Sequence, residues 1–332
     1  MNNNYSKRPV IRLFAILIAV MMMCLDLSGC GNAGDDRKGI SVVCTIFPIY
    51  DWTKTIIGDD PGDIELTLLL DEGVDLHSFQ PSADDILKIS SCDIFIYVGG
   101  ESDKWTDDIL SEASNKDMKV ISLVDILGEN ALAEELKEGM QQEEQEEEEA
   151  PDEHVWLSLR NAALFADSIA DALSLAYPEN SKKYEENKEI FEKALTGLDE
   201  RFKASLETAK RNTLLFADRF PFRYLTEDYG LDYYAAFTGC SAETEASFET
   251  IAFLSDKINE LSLDSVIVLE GSDGRIAETV IRDSGKEGVS ILRIDSMQSV
   301  DSKDIAGGAD YLTIMEHDLD VIKKALGIEV TG

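Results

Sequence analysis

Apolar residues in this chain come in short runs separated by amphipathic segments, from residue 40 almost to the C-terminus. The runs Ile40–Ile46, Ile64–Leu70, Ile94–Val98 and Val120–Leu123 are near-continuously apolar and rich in Ile, Val and Leu. Runs of that length and composition are strands covered on both faces, because a strand with one wet face would alternate polar and apolar positions. Between them, Pro48–Ile57, Ser82–Ser90 and Lys104–Ala113 carry helical spacing, and Ser82 followed by Asp85 is a helix-start pair. The pattern predicts a parallel sheet with helices on either side.

The pattern repeats after residue 212. Strands are expected at Thr213–Phe216, Tyr233–Phe237, Ser265–Leu269 and Ile291–Ile294, with helices near Phe222–Tyr229, Ser247–Leu261, Ile276–Ser284 and Tyr311–Leu326. A helix at Trp156–Leu175 precedes the break at Pro178. In the charged segment Ser181–Arg211, Phe191, Leu195, Leu198, Phe202 and Leu206 are spaced by four, three, four and four residues, a single helical stripe. About 300 residues exceed one comfortable core. The fold class is therefore α/β: two lobes of parallel sheet covered by helices, 40–177 and 212–332, joined by one long rigid helix within 178–211. The acidic run Glu134–Glu149 has no apolar period and is expected to be a solvated, mobile loop.

Charge and the front end narrow the setting. Lys7, Arg8 and Arg12 precede the apolar run Leu13–Leu25, which is short for a spanning helix, and Leu27-Ser28-Gly29-Cys30 follows. Residues 1–29 are expected to be a signal peptide. Small residues before a cysteine resemble the bacterial lipoprotein box, so Cys30 is expected to carry lipid, with 30–39 as its linker. That reading makes the protein extracytoplasmic and anchored to the cell membrane. Removing residues 1–29 takes away three bases and one acid, and the formal charge passes from −36 to −38. Such a chain is a poor partner for nucleic acid and concentrates cations instead. Of the five cysteines, Cys24 falls in the signal, Cys44 and Cys92 sit in or beside apolar runs, and Cys240 remains. With no Cys-x-x-Cys pair, neither a redox motif nor a thiolate cluster is supported.

Only three histidines occur in 332 residues. His77 lies in the loop after Ile64–Leu70, just before the Ser82 helix, and His154 lies in a polar loop just before the Trp156 helix. Open α/β sheets place ligands beyond the carboxyl ends of their strands, and imidazole is the commonest nitrogen ligand for transition metals. A single histidine is more often a satisfied core or surface residue, but two in equivalent positions point to a metal site. Asp295, directly after Ile291–Ile294, and Asp218, just past Thr213–Phe216, are the carboxylates placed to complete it. His317, among Glu316, Asp318 and Asp320, is expected to face solvent.

Thr45-Ile-Phe-Pro-Ile-Tyr50, Asp75-Leu-His-Ser-Phe-Gln-Pro-Ser82, Asp152-Glu-His-Val-Trp156 and Arg293-Ile-Asp-Ser-Met297 resemble the zinc- and manganese-binding lipoproteins that deliver metal to bacterial ABC importers. The resemblance runs from Val42 to the C-terminus. It implies two α/β lobes bridged by a rigid helix, no enzymatic activity, a monomer, an ABC importer permease as partner, and His77, His154 and Asp295 as metal ligands. Where the family carries a histidine or glutamate after the first strand of the second lobe, this chain reads Phe216-Ala-Asp-Arg219. Asp218 is the first substitute, with Glu243 and Glu245 behind it. The loop before His154, histidine-rich in many zinc-binding members, holds none here. Zinc is the expected metal, with manganese the alternative. Two other classes stay open on the residues alone: a zinc hydrolase with an open water position, which no His-Glu-x-x-His or nucleophile-elbow motif supports, and a surface interaction protein with a structural metal.

Overall fold

Among the described residues, eight strands form two separate sheets, and every pairing within them is parallel. The computed structural model describes residues 39–59, 61–71, 73–141, 150–241 and 245–330. The expected signal peptide, Cys30, nearly all of its linker, residues 142–149 of the acidic run and Glu243 lie outside the described residues. The first sheet contains β1 (Ile40–Cys44), β2 (Ile64–Leu68), β3 (Ile94–Tyr97) and β4 (Lys119–Ser122) in the order β2-β1-β3-β4. The second contains β5 (Thr213–Phe220), β6 (Asp232–Thr238), β7 (Ser265–Leu269) and β8 (Ser290–Ile294) in the order β6-β5-β7-β8. Each is an open sheet whose two middle strands meet at a reversal of chain order, where crevices form at the carboxyl ends.

The helices are α1 (Phe47–Ile57), α2 (Ala83–Ser91), α3 (Trp105–Ser111), α4 (Leu123–Leu127), α5 (Leu159–Ala176), α6 (Ser181–Leu206), α7 (Arg223–Tyr229), α8 (Phe248–Glu260), α9 (Arg275–Ser284), α10 (Ser302–Ala306) and α11 (Tyr311–Ala325). Ser82 and Asp85 close a reciprocal cap on α2, each accepting from the other's main chain. The stripe expected on α6 is buried at all five positions. It packs against α1 and α5 on one side and α11 on the other, so this 26-residue helix contacts elements from both halves of the chain.

Strand alternation divides the core. Leu214 and Phe216 of β5 and Ile267 and Leu269 of β7 join a continuous apolar cluster that also holds Val42, Phe95, Trp52 and Phe165. Leu215, Ala217, Val266 and Val268 point the other way, into a smaller cluster with Leu254 and Ile258 of α8 and Val280 of α9. The large cluster spans both sheets, and the chain from Gly39 onward forms one compact unit. No described helix is long and apolar enough to cross a membrane.

Two segments differ from the sequence pattern. β5 does not stop at Phe216: a register shift between Phe216 and Arg219 lets it continue to Phe220, paired with Phe237 and Thr238 of β6. The front of the acidic run is not a solvated loop. Lys137 bonds Asp232, Glu135 accepts from the Tyr233 hydroxyl, and the Gln141 amide donates to the Ala236 carbonyl. Residues 134–141 are thereby fastened along β6, because charges spaced along one edge find partners that a periodicity argument cannot see. Gly139, at φ +88°, lies against the Phe253 ring, which a Cβ would strike.

Candidate metal centre

The loop after β2 turns at Leu76–Ser78, a single 3-10 turn capped by Asp75, whose Oδ1 accepts from the His77 amide at 3.0 Å. Asp75 Oδ2 accepts from Arg219 Nη2 at 2.8 Å, so a β5 side chain clamps the cap from the other sheet. His154 sits before a second 3-10 turn, Val155–Leu157, and is fully buried. Asp152 Oδ1 accepts from the His154 main-chain amide at 2.8 Å and faces its ring Nδ1 at 3.0 Å. Asp152 is fixed in turn, its amide donating to Leu132 and its carbonyl accepting from the Tyr224 hydroxyl. Gly239 lies against the His154 ring, where a Cβ would come within 2.7 Å of Cε1.

These supports aim both rings at one point. The two Nε2 atoms lie 3.1 Å apart. His77 Nδ1 is 2.8 Å from Ser102 Oγ and 3.5 Å from Glu153 Oε2, a buried oxygen with no hydrogen-bond donor among the described residues. A carboxylate only accepts, so Nδ1 of His154 carries its proton toward Asp152, and in the His77 tautomer that donates from Nδ1 to the Ser102 hydroxyl the Nε2 lone pairs of the two rings face each other. Two lone pairs at that distance repel unless a cation or a shared proton stands between them. The pair does not take two protons: burial, then the charge of His154, pushes His77 down to about 3. Burial opposes the charge of His154 too, but Asp152, as ion-pair and hydrogen-bond partner, carries its pKa above the ordinary value. Nδ1 bonded to oxygen with Nε2 left free is the arrangement that orients imidazoles toward a metal.

A third group joins them. The sulfur of Cys240 and the ligand atoms of His77 and His154 all lie within 4.8 Å of one another, the one such group among the described residues. Cys240 follows β6 and its amide donates to Glu134 Oε1 at 3.1 Å. Burial, then the negative charges of Glu134, Asp152 and Glu153, raises its thiol well above the ordinary value. Sequence reasoning passed over it for lack of a second nearby cysteine. The available signal was its place at the carboxyl end of a strand, outside any apolar run.

The carboxylates lie outside that group. Asp218 falls within β5, where its two oxygens accept from the amides of Arg219 (2.9 Å) and Leu269 (3.2 Å), so it fastens β5 to the end of β7. Asp295 stands at the carboxyl end of β8 with Oδ1 on the Met297 amide at 2.7 Å. Burial and the nearby Glu270 raise its pKa to about 6. Its loop touches the His154 turn, since Trp156 Nε1 donates to the Ser296 carbonyl at 2.9 Å. Glu245 is exposed. The His317 side chain is largely exposed, 3.4 Å from Asp318.

Two open parallel sheets, a long helix touching both halves and an imidazole pair beyond the strand ends define a two-sheet α/β protein with a candidate metal centre. Residues 42–325 match the family described as ZnuA, zinc-uptake complex component A, periplasmic, and the chain belongs to that family. It is 28% identical over 302 residues to the zinc-binding protein AdcA of Streptococcus pyogenes, covering 88% of this chain and 57% of that one. The chain thus spans little more than half the length of those streptococcal relatives. It is 26% identical to the high-affinity zinc uptake system protein ZnuA of Bacillus subtilis, covering 93% and 97% of the two chains. The Zn(II)-bound ZnuA-like domain of Streptococcus pneumoniae AdcA superposes with a TM-score of 0.69 at 27% identity, over 87% of this chain and 99% of that one.

Proposed function

We propose that this protein captures zinc outside the cytoplasm and passes it to the permease of an ABC importer, acting as a monomer held at the cell membrane by lipid on Cys30. The observation that carries the reading is the pair of Nε2 atoms 3.1 Å apart, the His77 ring held at Nδ1 by the Ser102 hydroxyl and the His154 ring by the buried Asp152 carboxylate. Zinc takes neutral imidazole readily, and the names of the relatives point to the same cargo. His77 and His154 are the proposed nitrogen ligands. Asp295 is the proposed carboxylate, its loop already fastened to the His154 turn through Trp156. Asp218, bonded to two amides, serves the sheet instead.

Isothermal titration with zinc tests this. Wild-type protein is expected to bind one equivalent, and His77→Ala and His154→Ala each to weaken it by roughly a hundredfold or more, with unfolding still cooperative. A wild-type protein that takes up no zinc overturns the proposal.

A further inference from the structure

The second half of the chain brings no imidazole to the pair. In β5, Ala217 is buried in the smaller apolar cluster, Asp218 is occupied by two amides, and Arg219 is clamped on Asp75. The group that does reach the pair from this side is Cys240. We propose that Cys240 is a ligand beside the imidazole pair and the proposed Asp295 carboxylate, adding a thiolate to the site that selects thiophilic divalent cations over manganese. The proposal rests on the reading of His77 and His154 as ligands, and it goes further in naming what the other sheet contributes and which metals that favours.

Geometry supports it. Around a tetrahedral zinc with ordinary bond lengths, two imidazole nitrogens stand about 3.3 Å apart and a nitrogen and a sulfur about 3.6 Å. The two nitrogens here are at 3.1 Å, and the sulfur lies with both inside 4.8 Å, so a small inward shift completes the shell. The thiol is placed by the fold. Its amide is held by Glu134 from the docked acidic segment, and Gly239 beside it leaves the His154 ring room to pack. It is also a free thiol, as are Cys44 and Cys92, both buried. On binding, the metal displaces the thiol proton, which leaves to solvent, and the charge on sulfur is neutralised by the cation. Thiolate is a soft ligand that favours zinc and cadmium, whereas manganese prefers oxygen.

Cobalt(II) is the probe, because a cobalt–thiolate bond adds a sulfur-to-metal charge-transfer band in the near ultraviolet that nitrogen and oxygen ligands do not give. Full-length wild-type protein loaded with cobalt is expected to show the band. Cys240→Ser is expected to lose it and to bind zinc at least about tenfold more weakly, with manganese affinity changed less than about twofold and thermal unfolding preserved. Cys240→Ala serves the same comparison should the serine variant prove unstable. A cobalt complex without the band, or a Cys240→Ser variant with wild-type zinc affinity, overturns the thiolate assignment and leaves the imidazole pair standing. Failure of the wild type to bind cobalt or zinc at all overturns both.

Discussion

The two sides of the site use their carboxylates differently. In the first half, Asp152 faces a ring nitrogen of His154 at 3.0 Å and Glu153 approaches Nδ1 of His77 at 3.5 Å, so acids there orient imidazoles. In the second half, both oxygens of Asp218 accept from main-chain amides, so that acid holds backbone, while Asp295 places only Oδ1 on an amide. Acids at strand ends look alike in a sequence, and only the donors around them decide which work they do. A carboxylate behind a ring raises the basicity and fixes the tautomer of that ligand, whereas one on a peptide amide secures a strand or turn. The first half therefore holds a pre-aimed pair, and the second closes over it.

Asp152→Asn strikes this contrast hardest. The amide can still accept from the His154 main chain but no longer draws the Nδ1 proton with a full charge, and zinc affinity is expected to fall by roughly 10- to 100-fold. Titration of zinc into the variant measures this, and unchanged affinity would reduce Asp152 to a loop brace.

Asp51 tests the backbone-holding class away from the site. Its Oδ2 accepts from the Tyr311 amide at 3.0 Å, joining α1 of the first half to the start of α11. Burial raises its pKa to about 6, partly offset by that amide. A carboxyl whose folded pKa is raised binds its proton more tightly in the folded state, so its contribution is full below the unfolded value and is lost as pH rises through about 6. Between about pH 4 and 6 wild-type stability should therefore carry a falling component, worth on the order of 2 kcal/mol, that Asp51→Asn lacks. Urea midpoints of the two proteins across that range supply the comparison. Parallel pH profiles would show that Asp51 titrates normally.

Asp218→Asn is expected to give the smallest change at the site. Zinc affinity should stay within about twofold of wild type while stability drops by about 1–3 kcal/mol, since the asparagine keeps one acceptor oxygen and turns an NH2 donor toward the other main-chain amide. A large loss of zinc binding would return Asp218 to the metal and erase the contrast between the halves.

What the sequence disclosed follows from which interactions are local. The eight described strands showed as apolar runs, β7 buried along its whole length and the edge strands β4 and β8 only in part, and α6 showed as a stripe because each turn buries one apolar residue. α4 and α10, five residues each, are too short to display a period. The extension of β5 was hidden because its register shift replaces the apolar run with Ala217-Asp218-Arg219. His77 and His154 were legible as paired loop residues ahead of helices. Cys240 was not, since its nearness to them arises only when β6 carries it across from the other sheet. The docking of residues 134–141 was illegible for the same reason: Asp232, Tyr233 and Ala236 are about a hundred positions away.

The central claim is that His77 and His154 share one zinc ion. A crystal of the zinc-loaded protein, with diffraction recorded on both sides of the zinc absorption edge, measures this directly. The account predicts a single strong anomalous peak at about 2.0–2.1 Å from Nε2 of both rings. A peak bound elsewhere on the chain, or one reached by neither imidazole, would contradict it.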